Sequence, residues 1–275
     1  MTNEEYHAHP AFSKSDLDAA AKSGKHLYDK LFGPKRESTP AFDFGTAFHA
    51  AALPGEDFDQ VAARMPDGLK KTTKEGKAFM AEHKGKILLN NSDAYALDQM
   101  MLSMSEHPVA RGLLNGGWQG KSEQSYFAVD PETGLDVKCR PDFILNDGSL
   151  IIDLKTTLDA SPKGFQRSLV SYRYYVQAAF YMDVVEMATG TRPVAFLFIA
   201  CEKQRPLEVG AYCADHAMIE VGREHARRDL QKIAEWKASN TWPGYSDRAE
   251  IISLPKWMLP KEDGTSADHQ PIELY

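Results

Sequence analysis

Residues 141–155 constrain the fold of this chain more than any other segment. Two apolar stretches flank an Asn-Asp-Gly sequence at 146–148, and the Asp-Gly pair favours a tight hairpin turn. Side chains two positions apart on a strand share a face, so Asp153 and Lys155 should point the same way. The turn folds the preceding strand back and brings Asp142 close to Asp153. The segment therefore predicts a hairpin that gathers two carboxylates and one ammonium.

The chain around this hairpin alternates helical and strand patterns. Their order predicts an α/β fold in which a central mixed β-sheet is flanked by helices, with N-terminal helical additions. We predict helices at 13–32, 44–53, 92–106, 174–188 and 215–239, and strands at 124–129, 135–145, 150–156, 194–200 and 207–212.

This pattern predicts a single domain over residues 1–250. The division we expect is a mainly helical part (1–115), a catalytic sheet core (120–213), a long helix (215–240) and an extended C-terminal tail (251–275).

Composition narrows the function classes. The net charge of −7 argues against a passive nucleic-acid binder, which is usually basic, but not against an enzyme that meets phosphate through cations. No window of about 18 apolar residues is present, so we expect no membrane partner. The polar N-terminus does not resemble a signal peptide. The three cysteines form no C-x-x-C pair, which suits a reducing compartment. These features predict a cytoplasmic protein.

The predicted cluster of Asp142, Asp153 and Lys155 has a chemical requirement. Burying these charges without a partner would be costly. A hard divalent cation corrects the imbalance, since Mg²⁺ prefers oxygen ligands from one or two carboxylates together with water and phosphate. The lysine could then hold a water or a phosphate oxygen, an arrangement suited to phosphodiester hydrolysis. The alternative is that Asp153 and Lys155 form a surface pair on a strand edge.

The residues of this hairpin resemble a known family. Pro141-Asp142 followed by Asp153-Leu154-Lys155 is similar to the motif of the PD-(D/E)XK nucleases, which have a restriction-endonuclease-like core. Glu123 matches the acidic residue that many members supply to the metal site. The segment 45–49, ending in His49, resembles the Gly-to-His helix motif of the RecB-like branch, whose histidine helps to bind metal. Gln177 and Tyr181 resemble the Q-x-x-x-Y motif of that branch, which faces the active site.

Within that branch, the segments 13–17, 45–49 and 153–157 together most resemble RecE-type exonucleases (exodeoxyribonuclease VIII) and related prophage proteins, over residues 6–212. The resemblance implies an exonuclease that uses Mg²⁺, with Mn²⁺ as a substitute. It would digest the 5′ strand of linear double-stranded DNA and leave a 3′ tail for a single-strand annealing recombinase. It also implies a homo-oligomeric ring, in the cytoplasm of a bacterial host, with a phage or prophage origin.

The same resemblance implies the site residues. The metal ligands would be Asp142, Asp153, the Leu154 carbonyl, His49 and Glu123, with Lys155 orienting the attacking water. Some RecB-like nucleases hold an iron–sulfur cluster on four cysteines, so three cysteines predict no such cluster here.

Several of these residues have a plainer interpretation. His49 could be a packed core or surface histidine, and Gln177 with Tyr181 could be a buried polar pair. Glu123 could be an exposed strand residue, with Glu132 in the adjacent turn as a weaker candidate for its role.

Four basic residues are candidate DNA contacts. Lys138 and Arg140 alternate with Asp142 on one predicted strand, so they could share its face and touch phosphate. Lys70 and Lys71 lie in a basic stretch that could also grip DNA, although a solvated loop is the preferred interpretation.

Two rival functions stay open. One is a PD-(D/E)XK structure-specific endonuclease, which would cut closed circular DNA where an exonuclease leaves it intact. The other is a non-catalytic DNA-end-binding module, against which the complete set of Asp142, Asp153 and Lys155 argues.

Overall fold

The computed structural model describes residues 1–34, 38–255 and Met258. Helices fill most of the first half, and strands dominate the middle. The helices are α1 (Asn3–Ala8), α2 (Lys14–Lys22), α3 (Gly24–Phe32), α4 (Pro40–Ala52), α5 (Phe58–Val61), α6 (Lys74–Glu82), α7 (Asn91–Glu106), α8 (Arg111–Leu114), α9 (Pro162–Ser171), α10 (Tyr174–Thr189) and α11 (His216–Ser239). The strands are β1 (Ala62–Arg64), β2 (Ile87–Leu89), β3 (Gly120–Ser122), β4 (Tyr126–Val129), β5 (Asp136–Cys139), β6 (Phe143–Leu145), β7 (Leu150–Thr157), β8 (Ala195–Glu202) and β9 (Val209–Cys213).

A five-stranded sheet in the order β3-β6-β7-β8-β9 forms the centre of the molecule. Strands β6 and β7 pair antiparallel, as the Asp-Gly turn predicts, with Phe143 opposite Ile152. Strand β8 runs parallel to β7, while β9 returns antiparallel to β8. The sheet is therefore mixed, and the predicted α/β fold class is confirmed.

The two faces of this sheet carry separate hydrophobic cores. Ile151 belongs to the core shared with α2, α10 and α11, whereas the next residue, Ile152, belongs to the core shared with α4 and α7. This alternation follows from the two-residue period of a strand. Each fully buried Ile contributes about 1.5–3 kcal/mol of hydrophobic stabilisation, so both faces hold β7 in place.

The predicted helix over 13–32 is wrong in one respect, because it is two helices. Ser23 ends α2 and caps α3, with its Oγ accepting from the N–H of His26 at 3.2 Å. Gly24 then lies against Pro243 so closely that a Cβ would come within 2.6 Å of the proline ring. A serine N-cap favours a new helix start, and the tertiary contact with residue 243 fixes the bend.

The predicted strand over 135–145 is also interrupted. Its first half, β5, pairs with β4 in a separate two-stranded sheet, and its second half, β6, belongs to the central sheet. Lys138 and Arg140 therefore do not share a strand with Asp142. The alternating pattern continues through the break, so the sequence alone does not reveal that the chain changes sheets.

The other predicted helices and strands agree with the observed ones within a few residues. Eight of the elements observed in the described residues were not predicted: α1, α5, α6, α8, α9, β1, β2 and β3. Of the predicted C-terminal tail, 251–255 and Met258 are exposed, while 256–257 and 259–275 lie outside the described residues. In the part of the chain that is described, no helix combines the length and apolar character needed to cross a bilayer.

Candidate active site

The hairpin brings Asp142, Asp153 and Lys155 together. Asp142 directly precedes β6, and its Oδ2 accepts a hydrogen bond from the backbone N–H of Leu154 at 2.6 Å. Asp153 and Lys155 lie on the same face of β7, and the Lys155 ammonium forms an ion pair with Oδ1 of Asp153. Asp153 is only 1% exposed, so this is not a surface pair on a strand edge.

Gln177 on α10 contacts the second oxygen of Asp153. Its Nε2 donates to Oδ2 at 2.5 Å, so the two carboxylate oxygens face Gln177 and Lys155. Burial raises the pKa of Asp153 to about 6; Lys155 opposes this rise, and Asp142 adds to it. Donation from Gln177 helps to hold this carboxylate in a site that disfavours its charge.

Lys155 keeps its proton despite its burial. Burial by itself lowers the pKa of an ammonium, but the charges of Asp153 and Asp142 outweigh it, and the pKa of Lys155 is raised. The ring of Tyr174 lies under the ammonium, with its centroid 4.6 Å from Nζ. Tyr174 was not predicted as a site residue. Its spacing of three from Gln177, which places both on one helix face, is the signal that could have revealed it.

A second group consists of His49, Glu123 and Asp142, whose candidate ligand atoms all lie within 4.8 Å of one another. Nδ1 of His49 is 3.7 Å from Oδ1 of Asp142, and its Nε2 is 3.1 Å from the carbonyl oxygen of Leu154. Helix α4 carries His49 to this place, because its inner face packs against the sheet.

Glu123 follows β3 in a left-handed conformation with φ 48°, which is uncommon for a residue with a side chain. Its N–H donates to the Asp142 carbonyl at 3.0 Å, which fixes the bend beside the aspartate. Burial, followed by the charge of Asp142, raises the pKa of Glu123 to about 8.

These donors suit a hard divalent cation. Two carboxylates are typical ligands of Mg²⁺ and Mn²⁺, and nearby positive charge would relieve the repulsion between Glu123 and Asp142. Asp153 lies outside this group, since its oxygens face Lys155 and Gln177. The Leu154 carbonyl faces the group through its contact with His49.

A cleft of about 790 Å³ opens onto both groups. Its lining includes His49, Glu123, Lys155 and Tyr181, with α1 and α4 forming further walls. Burial raises the pKa of the Tyr181 phenol well above its usual value, so the hydroxyl is neutral. Because the cleft is open, the site can receive a substrate from solvent.

Lys138 is buried and is not among the residues that line the cleft, whereas Arg140 lines it beside Glu123, so a phosphate contact of Arg140 stays a prediction. The Lys138 ammonium is buried and donates to the carbonyls of Tyr6 and His9 at 2.6 and 2.7 Å. Arg140 donates to the Met1 carbonyl at 3.1 Å, and its other hydrogen bonds go to Thr2, Asn3 and Ser125. Both cations therefore hold α1 in place. Lys138 lies on β5, which pairs with β4 outside the central sheet and so lies against α1.

The other candidates lie away from the cleft. Lys70 and Lys71 are exposed in the turn before α6 and are not among the cleft's lining residues. Glu132 pairs with Arg227 at 2.8 Å on the surface, so it does not compete with Glu123 for the site.

Residues 13–255 match the family model described as a PDDEXK-like domain of unknown function (DUF3799). The chain belongs to this PDDEXK-like family. The resemblance of the 141–155 hairpin to the PD-(D/E)XK superfamily is thereby confirmed. No curated protein matches the chain.

Several solved structures align with this chain. A candidate exonuclease from Eubacterium rectale aligns with a TM-score of 0.64 and 14% identity, over 93% of this chain and 95% of that one. An alkaline exonuclease from Laribacter hongkongensis gives a TM-score of 0.29 and 14% identity, over 70% of this chain and 91% of that one. A phage-related exonuclease from Haemophilus somnus gives a TM-score of 0.34 and 13% identity, over 71% of this chain and 94% of that one. Only the first is similar enough to support a conclusion, and at that identity the conclusion concerns the fold.

Proposed function

We propose that this protein is a divalent-metal-dependent exonuclease that acts on the ends of linear double-stranded DNA. The observation that carries the proposal is the placement of two groups in one open cleft. His49, Glu123 and Asp142 offer metal ligands, and the buried ion pair of Asp153 and Lys155 lies beside them.

His49, Glu123 and Asp142 would hold the cation, with Asp153 and the Leu154 carbonyl as further candidates from the family resemblance. Mg²⁺ is the first choice and Mn²⁺ a substitute, because the donors are mainly oxygen. When bound, the cation supplies charge for the phosphate and lowers the pKa of water.

The remaining residues orient the reactants. The Lys155 ammonium, kept protonated by Asp153, donates to the attacking water or to a phosphate oxygen on which charge grows. Gln177 holds Asp153, so that the lysine keeps one position. The neutral Tyr181 hydroxyl is a further donor at the cleft wall.

The finer features of the proposal come from the RecE-type resemblance. We propose digestion of the 5′ strand, release of a 3′ single-stranded tail, and transfer of that tail to a single-strand annealing recombinase. A homo-oligomeric ring, a cytoplasmic location and a phage or prophage origin belong to the same proposal. The Eubacterium rectale structure, described as a candidate exonuclease, is consistent with it.

A digest of 5′- and 3′-labelled linear duplex with Mg²⁺, run beside a closed circle of the same DNA, tests this function. We expect progressive shortening of the linear 5′ strand and an intact circle, with much slower shortening by Lys155→Ala. Cleavage of the circle would favour a structure-specific endonuclease. Binding to ends without hydrolysis of either substrate would favour a non-catalytic module.

A further inference from the structure

An ion pair with a buried carboxylate joins α11 to the residue that directly precedes α10. Arg173 directly precedes α10 with φ 53° and ψ 41°, a left-handed conformation that is strained for a residue with a side chain. Its Nη2 pairs with Asp229 of α11, which is fully buried. Its Nη1 donates to the carbonyl of Leu17 and to Oδ1 of Asp18, each at 3.1 Å. The left-handed backbone of Arg173, where the chain enters α10, is called the corner below. Its guanidinium thus joins the corner to both α2 and α11.

The turn that follows this corner contacts the candidate catalytic pair. Tyr174 places its ring 4.6 Å from Nζ of Lys155, and Gln177 donates to Asp153 at 2.5 Å. The carbonyl of Arg173 accepts the N–H of Gln177 at 3.2 Å, so the backbone of residue 173 sets the start of this turn. A shift of the corner would therefore move both contacts together.

We propose that Arg173 and Asp229 are positioning residues for catalysis. This proposal rests on the proposed nuclease function. Neither residue is among those that line the cleft. The pair holds the first turn of α10 where Tyr174 and Gln177 fix Lys155 and Asp153. A buried ion pair is not needed for stability alone, since well-packed apolar residues often replace one at no loss. Its use here is to hold a strained corner at a reactive site.

The chain offers a matched control. Arg223 of α11 pairs with Asp183 of α10, with Nε–O distances of 3.0 and 2.9 Å and an Nη2–O distance of 2.8 Å. It joins the same two helices as the Arg173–Asp229 pair. Asp183 follows Tyr174 by nine positions (183 − 174), about 13 Å along the helix axis. Loss of this pair should disturb α10–α11 packing without moving the first turn.

The test compares Arg173→Met/Asp229→Leu with the control Arg223→Met/Asp183→Leu. Single-turnover cleavage, the KM for DNA and thermal unfolding are measured on each folded variant. We expect the first variant to lose about 10- to 100-fold in rate, as small misplacements of reacting groups do, with its KM unchanged. The control should cleave at the parent rate. Equal losses in both variants, or no loss in the first, would overturn the proposal.

Asp229→Leu alone covers the case in which the double variant does not fold. It removes the fully buried carboxylate, while the Arg173 guanidinium keeps the Leu17 carbonyl and Asp18 as partners. Its cleavage rate should fall as in the double variant, because the contact between Arg173 and α11 is lost. A parent rate in Asp229→Leu would show that the pair does not position the site, and would refute the proposal.

A readout without catalysis separates this proposal from the function on which it rests. In metal-free protein labelled with ¹³C at lysine Cε, the Tyr174 ring should shield the Lys155 signal, which is assigned through Lys155→Arg. The shielding should disappear in Arg173→Met/Asp229→Leu and persist in the Arg223→Met/Asp183→Leu control. Unchanged shielding in the first variant would overturn the proposal. A parent protein that cleaves no DNA would instead refute the proposed function, while this measurement still decides the positioning role.

Discussion

Replacing Gln177 with leucine removes the donor to Asp153 at nearly constant side-chain volume. The 2.5 Å hydrogen bond ends on a carboxylate that is 1% exposed, so water does not readily replace it. The folded protein should then bind the Asp153 proton more tightly than it already does, because the ionised form loses a partner. We expect the destabilisation caused by Gln177→Leu to depend on pH.

The magnitude of this pH dependence follows from the two protonation states of Asp153. Burial raises the pKa of Asp153 from its ordinary value of 3.8 to about 6 in the folded chain. The stability that this raised pKa contributes is fully present below the unfolded value and is lost as pH rises through about 6. A bond to a neutral carboxyl is worth about 0.5–1.5 kcal/mol, and a bond to a carboxylate about 1.5–3 kcal/mol. The difference between these two hydrogen-bond energies, about 1 kcal/mol or more, corresponds to a further rise of about one unit in the pKa of Asp153.

The assay is urea unfolding of metal-free parent and variant proteins between pH 5 and 8. The free energy lost on Gln177→Leu should grow from about 1 kcal/mol at the acid end to about 1.5–3 kcal/mol at the alkaline end. Gln119→Leu is the control, because Gln119 donates to the neutral carbonyl of Gly116 at 2.9 Å on the surface. A loss on Gln177→Leu that is flat across this pH range would refute the reasoning.

Four further predictions concern the metal and the lysine. Chelator should abolish cleavage, and Ca²⁺ should bind without supporting it, since its looser geometry places water poorly; full activity in excess chelator would contradict a metal mechanism. His49→Ala should weaken Mn²⁺ binding in calorimetry by at least about tenfold while thermal unfolding stays cooperative; an unchanged affinity would make His49 structural. Lys155→Ala should bind Mn²⁺ and DNA but lose about 10²-fold in single-turnover rate; cleavage at the parent rate would remove the main support for the nuclease. Because the pKa of Glu123 is raised to about 8, Mn²⁺ binding at pH 7 should release a proton, seen as a buffer-dependent binding enthalpy.

The candidate site was predictable where its residues lie close together in sequence. The Asp-Gly turn and the two-residue strand period were enough to bring Asp142 near Asp153 and Lys155. Gln177 lies 24 positions from Asp153, yet the motif that it resembles predicted that it faces the site, although not its contact with Asp153. The spacing of three from Gln177 places Tyr174 on the same helix face, but its contact with the lysine depends on how α10 meets the sheet.

The errors arose where tertiary contacts overrule a local pattern. The alternation through Lys138 and Arg140 is that of one continuous strand. The structure moves the chain to another sheet there and uses both cations to hold α1. The helical pattern through Ser23 is likewise continuous, but contact with Pro243 bends the chain at Gly24. Both outcomes depend on partners more than 100 positions away in sequence.

The sequence by itself determined the hairpin, the alternation that separates Ile151 from Ile152, and the set of groups able to do hydrolytic chemistry. These are local properties, since turn preference and strand period act over a few residues. Only the tertiary structure decided that His49 meets Asp142, that Asp153 faces Gln177 and Lys155, and that Arg173 is tied to Asp229. Those pairings arise when helices pack on the two faces of the sheet, because burial then selects which distant side chains neutralise one another.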